Sequence, residues 1–224
     1  KYSKKVKQAN SSMILTPLGH TEFLLDITGS HGKNVRILVD SWLSGYAVGD
    51  LMQRRYDIKL DPEKLTSIDI IYISHSHTDH FDPYTLVEIY KYATPILLLP
   101  MTLEYLVPLI KEYIQNVDIR ILSVEKPFLY EGITFTGYMF PESEVSNEGD
   151  VMSLAVENDD ELLFAEIDTV PEEDDLETQK KLFKIFTKKD YRTACYLASR
   201  NELAGDLKAL EMSQDKRKAF RSEY

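Results

Sequence analysis

The chain has one cysteine, Cys195, in 224 residues, so no internal disulfide can form and the fold must be held by its core. A lone thiol fits a reducing compartment, and a cytoplasmic location is expected on that ground. Positive charge is scarce as well: 26 Lys and Arg stand against 37 Asp and Glu, a formal net charge of −11. Without a cationic surplus there is little to displace counterions from a phosphate backbone, so nucleic acid is not an expected partner. No apolar run approaches the roughly 20 residues that cross a bilayer. Ile96 to Leu99, flanked by Pro95 and Pro100, is only strand-sized, and membrane insertion is not expected. Repeats and low-complexity linkers are lacking too, so residues 1–224 are read as a single domain.

What is present is an ordinary apolar content of 43% in a recognisable pattern. Met13 to Leu15, Glu22 to Ile27 and Val35 to Asp40 read as three consecutive antiparallel strands, with a Gly-Ser-His-Gly turn at 29–32 between the last two. Ile68 to Ile73 is almost continuously apolar, as a strand buried on both faces should be. Asp61-Pro62-Glu63 and Asp82-Pro83 are helix-start signals, the second leading into a helix over Tyr84 to Tyr92. A strand at Pro95 to Leu99, a helix over Thr102 to Gln115 and a strand at Asp118 to Leu122 predict a parallel, right-handed crossover. Short strands follow at Ile133 to Tyr138, Val151 to Glu157 and Leu162 to Ile167, with Asn158-Asp159-Asp160 as a hairpin turn. Pro171 to Lys189 reads as an acidic cap and amphipathic helix, Arg192 to Ala198 as a strand, and the remaining residues as a polar helix.

The informative stretch is Ser74-His75-Ser76-His77-Thr78-Asp79-His80, between a buried strand and a helix start. It holds three of the five histidines. His75 and His77 alternate, so both can project one way from an extended segment, with Asp79 and His80 on the turn that follows. Imidazole and carboxylate donors suit zinc, iron or manganese, and strand ends on a rigid scaffold are where such donors are commonly presented. Ser74 and Thr78 are read as fixing the loop by local hydrogen bonds, and His31 as a surface turn residue.

These residues resemble the His-x-His-x-Asp-His motif of the metallo-β-lactamase superfamily. Leu18-Gly19-His20-Thr21-Glu22-Phe23-Leu24-Leu25 is similar to the first strand pair of its lactonase and phospholipase-D-like branch. Ile37-Leu38-Val39-Asp40-Ser41-Trp42-Leu43 and Phe164-Ala165-Glu166-Ile167-Asp168-Thr169 are similar to two of its strand ends. The resemblance implies an α/β fold, a four-layer αββα sandwich of two mixed β-sheets flanked by helices. It also implies a hydrolase acting on an ester, lactone, amide or phosphodiester of a small molecule through a metal-bound hydroxide. His75 and His77 would serve a first metal, Asp79 and His80 a second, and Asp168 would bridge the two at about 3.5–4 Å separation. Asp79 would also be the catalytic carboxylate, and Asp40 would steady a ligating histidine from behind. Zinc is the expected cofactor, as one or two ions, with manganese or iron as alternatives.

The pattern departs from the family in two places. A third histidine on the first metal would fall in Pro141 to Asp150, where the chain offers only carboxylates. Glu148 is the expected substitute ligand, with Glu144, Glu142 and Asp150 as alternatives; oxygen in place of nitrogen would favour a harder metal. A final histidine is also missing, since none follows His80, so the last strand and its ligand are expected to be lacking from this chain. That favours a second class of function, a non-catalytic relative that binds a ligand or a protein. An iron-dependent redox enzyme on the same fold is a third. The loop from Ser44 to Leu60, with Arg54, Arg55 and Tyr56, is where substrate selectivity would lie.

Overall fold

The computed structural model describes residues 13–19, 21–44, 46–47, 52–53, 65–140, 150–169 and 176–198. Strands β1 (Met13–Pro17), β2 (Phe23–Thr28) and β3 (Asn34–Val39) form an antiparallel meander. The turn between β2 and β3 closes with the Gly32 N–H on the Gly29 carbonyl, and Gly32 takes the positive φ of 78° that the turn demands. A two-residue ladder pairs β4 (Tyr46–Ala47) with β5 (Met52–Gln53). Beyond it, β6 (Ile70–Tyr72) lies parallel to β3, then β7 (Ile96–Pro100) and β8 (Asp118–Leu122) continue the sheet in parallel. The first sheet is therefore six-stranded and mixed, in the order β1-β2-β3-β6-β7-β8.

The connections are helical. Asp82 caps α1 (Pro83–Ile89): its carboxylate accepts the Tyr84 N–H, and Pro83 opens the helix. Between β7 and β8 the chain does not form the one continuous helix expected over Thr102 to Gln115. A 3₁₀ turn covers Met101–Leu106 and only then does α2 run, over Val107–Tyr113. Pro108 is the reason: it has no N–H to give to the Glu104 carbonyl, which is taken instead by the Val107 N–H, three residues on.

A second sheet follows. β9 (Phe128–Tyr130), β10 (Ile133–Tyr138), β11 (Ser153–Glu157) and β12 (Glu161–Ala165) are antiparallel neighbours, and β13 (Thr193–Leu197) joins β12 in parallel after α3 (Leu176–Phe186). The β11–β12 hairpin is closed by Asn158, whose Oδ1 accepts the N–H groups of Asp160 and Glu161.

Side-chain alternation along the strands sets the layers. In β3 and β6, Ile37, Val39, Ile70 and Tyr72 point inward to meet Phe135, Leu154, Val156 and Leu163 of the second sheet. Leu38 and Ile71, between them, point outward onto Leu86, Ile89, Leu103 and Ile110 of the helical layer. The far face of the second sheet, with Ala155, Leu162 and Phe164, is covered by Ile185 of α3. Helix, sheet, sheet, helix is the αββα sandwich expected from the resemblance, and it explains why β6 is apolar at every position. No helix among the described residues is long and apolar enough to cross a membrane. The C-terminal helix and the helix start at Asp61 to Glu63 lie outside the described residues.

Candidate metal centre

The parallel strands of the first sheet all deliver their C-terminal ends to one edge, and the chemistry collects there. β3 ends at Asp40, whose N–H binds the Tyr72 carbonyl of β6. β6 runs into Ser74 to His80, and Asp79 and His80 lie on a turn, as expected: the N–H groups of His80 and Phe81 both return to the His77 carbonyl. The loop is clamped from outside by Ser41, whose N–H binds the His80 carbonyl, and by Asp82, whose carboxylate also takes the Ser44 N–H and the Thr85 hydroxyl.

From the second sheet, β12 ends in a turn that presents Asp168. Ile167 there has a φ of +59°, an outlying conformation for a β-branched residue and one that surrounding structure must enforce. A cluster supplies that enforcement: the Ser153 and Thr169 hydroxyl oxygens lie 2.5 Å apart, and both stand within hydrogen-bond distance of the Glu166 carbonyl.

His75, His80 and Asp168 are thereby gathered, with one ligand atom from each within 4.8 Å of the others. Asp168 Oδ2 lies 3.0 Å from His80 Nε2 and 3.7 Å from His75 Nε2, and Asp79 Oδ2 lies 3.8 Å from His80 Nε2. Donors sharing one ion at about 2.0–2.2 Å would stand roughly 3.4 Å apart in a tetrahedral arrangement, so these separations suit a single cation. His75 and His80 are fully buried and their rings are 4.0 Å apart. Behind them, the Asp40 carboxylate receives His80 Nδ1 at 2.7 Å, the Ser74 N–H at 2.8 Å and the Ser74 hydroxyl at 3.0 Å. Asp40 adopts a φ of +55° to do so, which Asp tolerates better than most residues. The donor set, two imidazole nitrogens and the Asp168 carboxylate gathered in a buried pocket with Asp79 beside His80, fits a divalent metal.

His77 is exposed, at the rim of this group, with its ring centroid 4.6 Å from that of His75. Asp150 accepts from the Ser76 hydroxyl at 2.9 Å, which ties the motif loop to the start of β11; nothing in the sequence signalled this pairing across 74 positions. Glu148, Glu144, Glu142, His20, Arg54, Arg55 and Tyr56 lie outside the described residues.

The charges explain how this pocket behaves without metal. Burial, with His80 close by, lowers His75 to about 4. For His80, burial favours the neutral ring, but the charge of Asp40 and hydrogen bonds to Asp168 and Asp40 outweigh it and raise its pKa to about 11. Burial likewise pushes Asp168 up, yet the hydrogen bond from His80 leaves its carboxyl below the usual value. A proton on His80 thus takes the position between carboxylates that a cation would otherwise occupy. The linkage has a definite sign: His75 and Asp168, both depressed, contribute stability above their unfolded values that is lost on acidification, whereas the His80 contribution is full below about pH 6.5 and declines steadily as pH rises from there to about 11. Metal-free protein is therefore expected to lose on the order of 3 kcal/mol between about pH 6.5 and 4 from His75 alone. Chelator-treated samples melted at stepped pH check this; a flat melting temperature across that window would contradict it.

The beta-lactamase superfamily domain profile matches residues 35–183, about two thirds of the chain. A putative Rieske 2Fe-2S iron-sulfur protein from Mycolicibacterium smegmatis is 32% identical over 96 residues, 43% of this chain and 17% of that protein. Among solved structures, CmlA, a diiron β-hydroxylase from Streptomyces venezuelae, is similar with a TM-score of 0.47 and 14% identity, covering 70% of this chain and 29% of that one. A metallo-β-lactamase from Cronobacter sakazakii is similar with a TM-score of 0.48 and 14% identity, covering 89% and 82%. The chain thus spans less than a third of the length of the Rieske protein and of CmlA. With the profile match across both sheets and the motif at the strand ends, the chain belongs to the beta-lactamase superfamily and has its metallo-β-lactamase fold.

Proposed function

We propose that the chain is a metal-dependent hydrolase of a small ester, lactone, amide or phosphodiester, using zinc, with manganese or iron as alternatives. One observation carries this reading: His75, His80 and Asp168 converge at the strand ends, with Asp79 beside His80 and the His80 ring held from behind by Asp40. When bound, a divalent cation supplies Lewis acidity and a nucleophile usable at neutral pH. His75, His80 and Asp168 would hold it, joined by His77 from the rim and by Glu148 as an oxygen donor in place of a third histidine. Asp79, mostly buried with its Oδ2 3.8 Å from His80 Nε2, is the group to accept a proton from the attacking nucleophile. Asp40 keeps the His80 ring from turning, and the Ser44 to Leu60 loop selects the substrate.

A second reading is a binding module without turnover. The specific observation favouring it is that Pro141 to Asp150, where a third histidine for the first metal is expected, offers carboxylates and no histidine. The experiment is a hydrolysis panel of esters, lactones, amides and phosphodiesters, run on chelator-treated protein and again after adding zinc, manganese or iron(II). The hydrolase reading expects turnover only in a metal-restored sample, and a loss of about 100-fold or more in Asp79→Asn with metal retained. Metal uptake with no turnover on any substrate class would instead support the binding module.

A further inference from the structure

Sequence alone reads Ser74 as fixing the motif loop by a local hydrogen bond, and the structure gives that bond its partners. Its side chain is fully buried, and its hydroxyl has two close partners, Asp40 Oδ2 at 3.0 Å and His75 Nδ1 at 2.9 Å. The same Asp40 oxygen takes His80 Nδ1 at 2.7 Å, so one carboxylate reaches both buried histidines, one directly and one through a hydroxyl.

From this arrangement we infer that Ser74 is a positioning residue: it relays Asp40 to His75, fixing which ring nitrogen His75 turns towards Asp168 and the metal. The inference rests on the metal-centre reading only for its consequence. The proton count supplies the argument. A hydroxyl has one hydrogen, and a carboxylate can only accept. The Ser74 hydrogen must therefore go to Asp40, for otherwise two oxygens meet at 3.0 Å with no hydrogen between them. Ser74 Oγ then has only lone pairs for His75, which must carry its proton on Nδ1. Its Nε2, 3.7 Å from Asp168 Oδ2, is left with a lone pair facing the other donors. The opposite tautomer would leave Nδ1 and the Ser74 oxygen competing for one hydrogen, and would put a proton where the metal ligand should be. Bonds to the distal nitrogen of a ligating histidine commonly set its tautomer and are worth about 10–100-fold in metal affinity.

The test is the tautomer of His75 in metal-free protein at neutral pH, read from two-bond ¹H–¹⁵N correlations of the histidine rings. The wild-type chain is expected to show a single form, proton on Nδ1. Ser74→Ala is expected to give a mixture of both forms and a zinc affinity about 10–100-fold lower by competition with a chelator; Ser74→Thr, which keeps the hydroxyl, restores both. An Nε2 proton in the wild-type spectrum overturns the inference without recourse to any variant. So does an unchanged tautomer in a folded Ser74→Ala. If the tautomer shifts as expected while neither protein takes up zinc, the role of Ser74 stands and the metal-centre reading falls.

Discussion

Replacing His80 with alanine is expected to lower zinc affinity by at least about 100-fold, more than outer-sphere changes usually achieve. No other described ring has both carboxylates so close to one nitrogen: Asp168 at 3.0 Å and Asp79 at 3.8 Å from Nε2. Its Nδ1 is already taken by Asp40, so the ring cannot turn away and its Nε2 is committed to the pocket. Without the ring, Asp40 and Asp168 face a cavity with no cation between them, and added metal must make up for that repulsion with one donor fewer. Competition titration against a chromophoric chelator measures the change, with far-UV circular dichroism confirming the fold. An affinity within a factor of three of wild type would remove His80 from the ligand set.

The second large effect concerns stability rather than binding. Asp40→Ala is expected to cost about 3–5 kcal/mol, the usual consequence of deleting one partner of a buried charged pair. Asp40 is fully buried and receives three donors, the Ser74 N–H, the Ser74 hydroxyl and His80 Nδ1. All three would be left inside the fold with water unable to reach them. The backbone adds to the cost, because a φ of +55° is strained for alanine by roughly 1–2 kcal/mol. Asp40→Asn, which tolerates that conformation, should fall between alanine and wild type. Urea unfolding at neutral pH gives the figures, and a loss below 1 kcal/mol for alanine would mean that Asp40 is not the support described here.

Local signals carried the fold far. The three-strand meander, the apolar β6 strand, the Asp82-Pro83 helix start and the Asn158 hairpin are each written within a few residues, by period, cap or turn chemistry, and each appears where the sequence puts it. The metal motif was legible for the same reason: His75, Asp79 and His80 are neighbours in the chain before they are neighbours in space. What periodicity could not supply depends on distance along the chain, and Asp168 was expected as a ligand from the resemblance alone. Asp168 meets His80 only because two sheets pack face to face and a strained turn at Ile167 aims the carboxylate. Asp150 meets Ser76 across 74 positions, and a sequence pattern with period 2 or 3.6 contains no term for either encounter. The 3₁₀ turn before α2 was a misreading of a different kind: apolar spacing suggested one helix, and the missing N–H of Pro108 prevailed. The Ser74 relay was hidden by its ordinariness, a serine beside a histidine, until its two partners were placed.

Whether the gathered donors hold a metal decides between a metal centre and a buried ion pair. Calorimetric titration of zinc into chelator-treated protein at neutral pH measures this. The arrangement of His75, His80 and Asp168 predicts saturable uptake of one equivalent tighter than about 1 μM, roughly 8 kcal/mol of binding free energy, and a clear loss of that uptake in His80→Ala. No uptake at micromolar concentrations, or uptake indifferent to His80, would contradict the account and leave the pocket as a buried imidazolium between two aspartates.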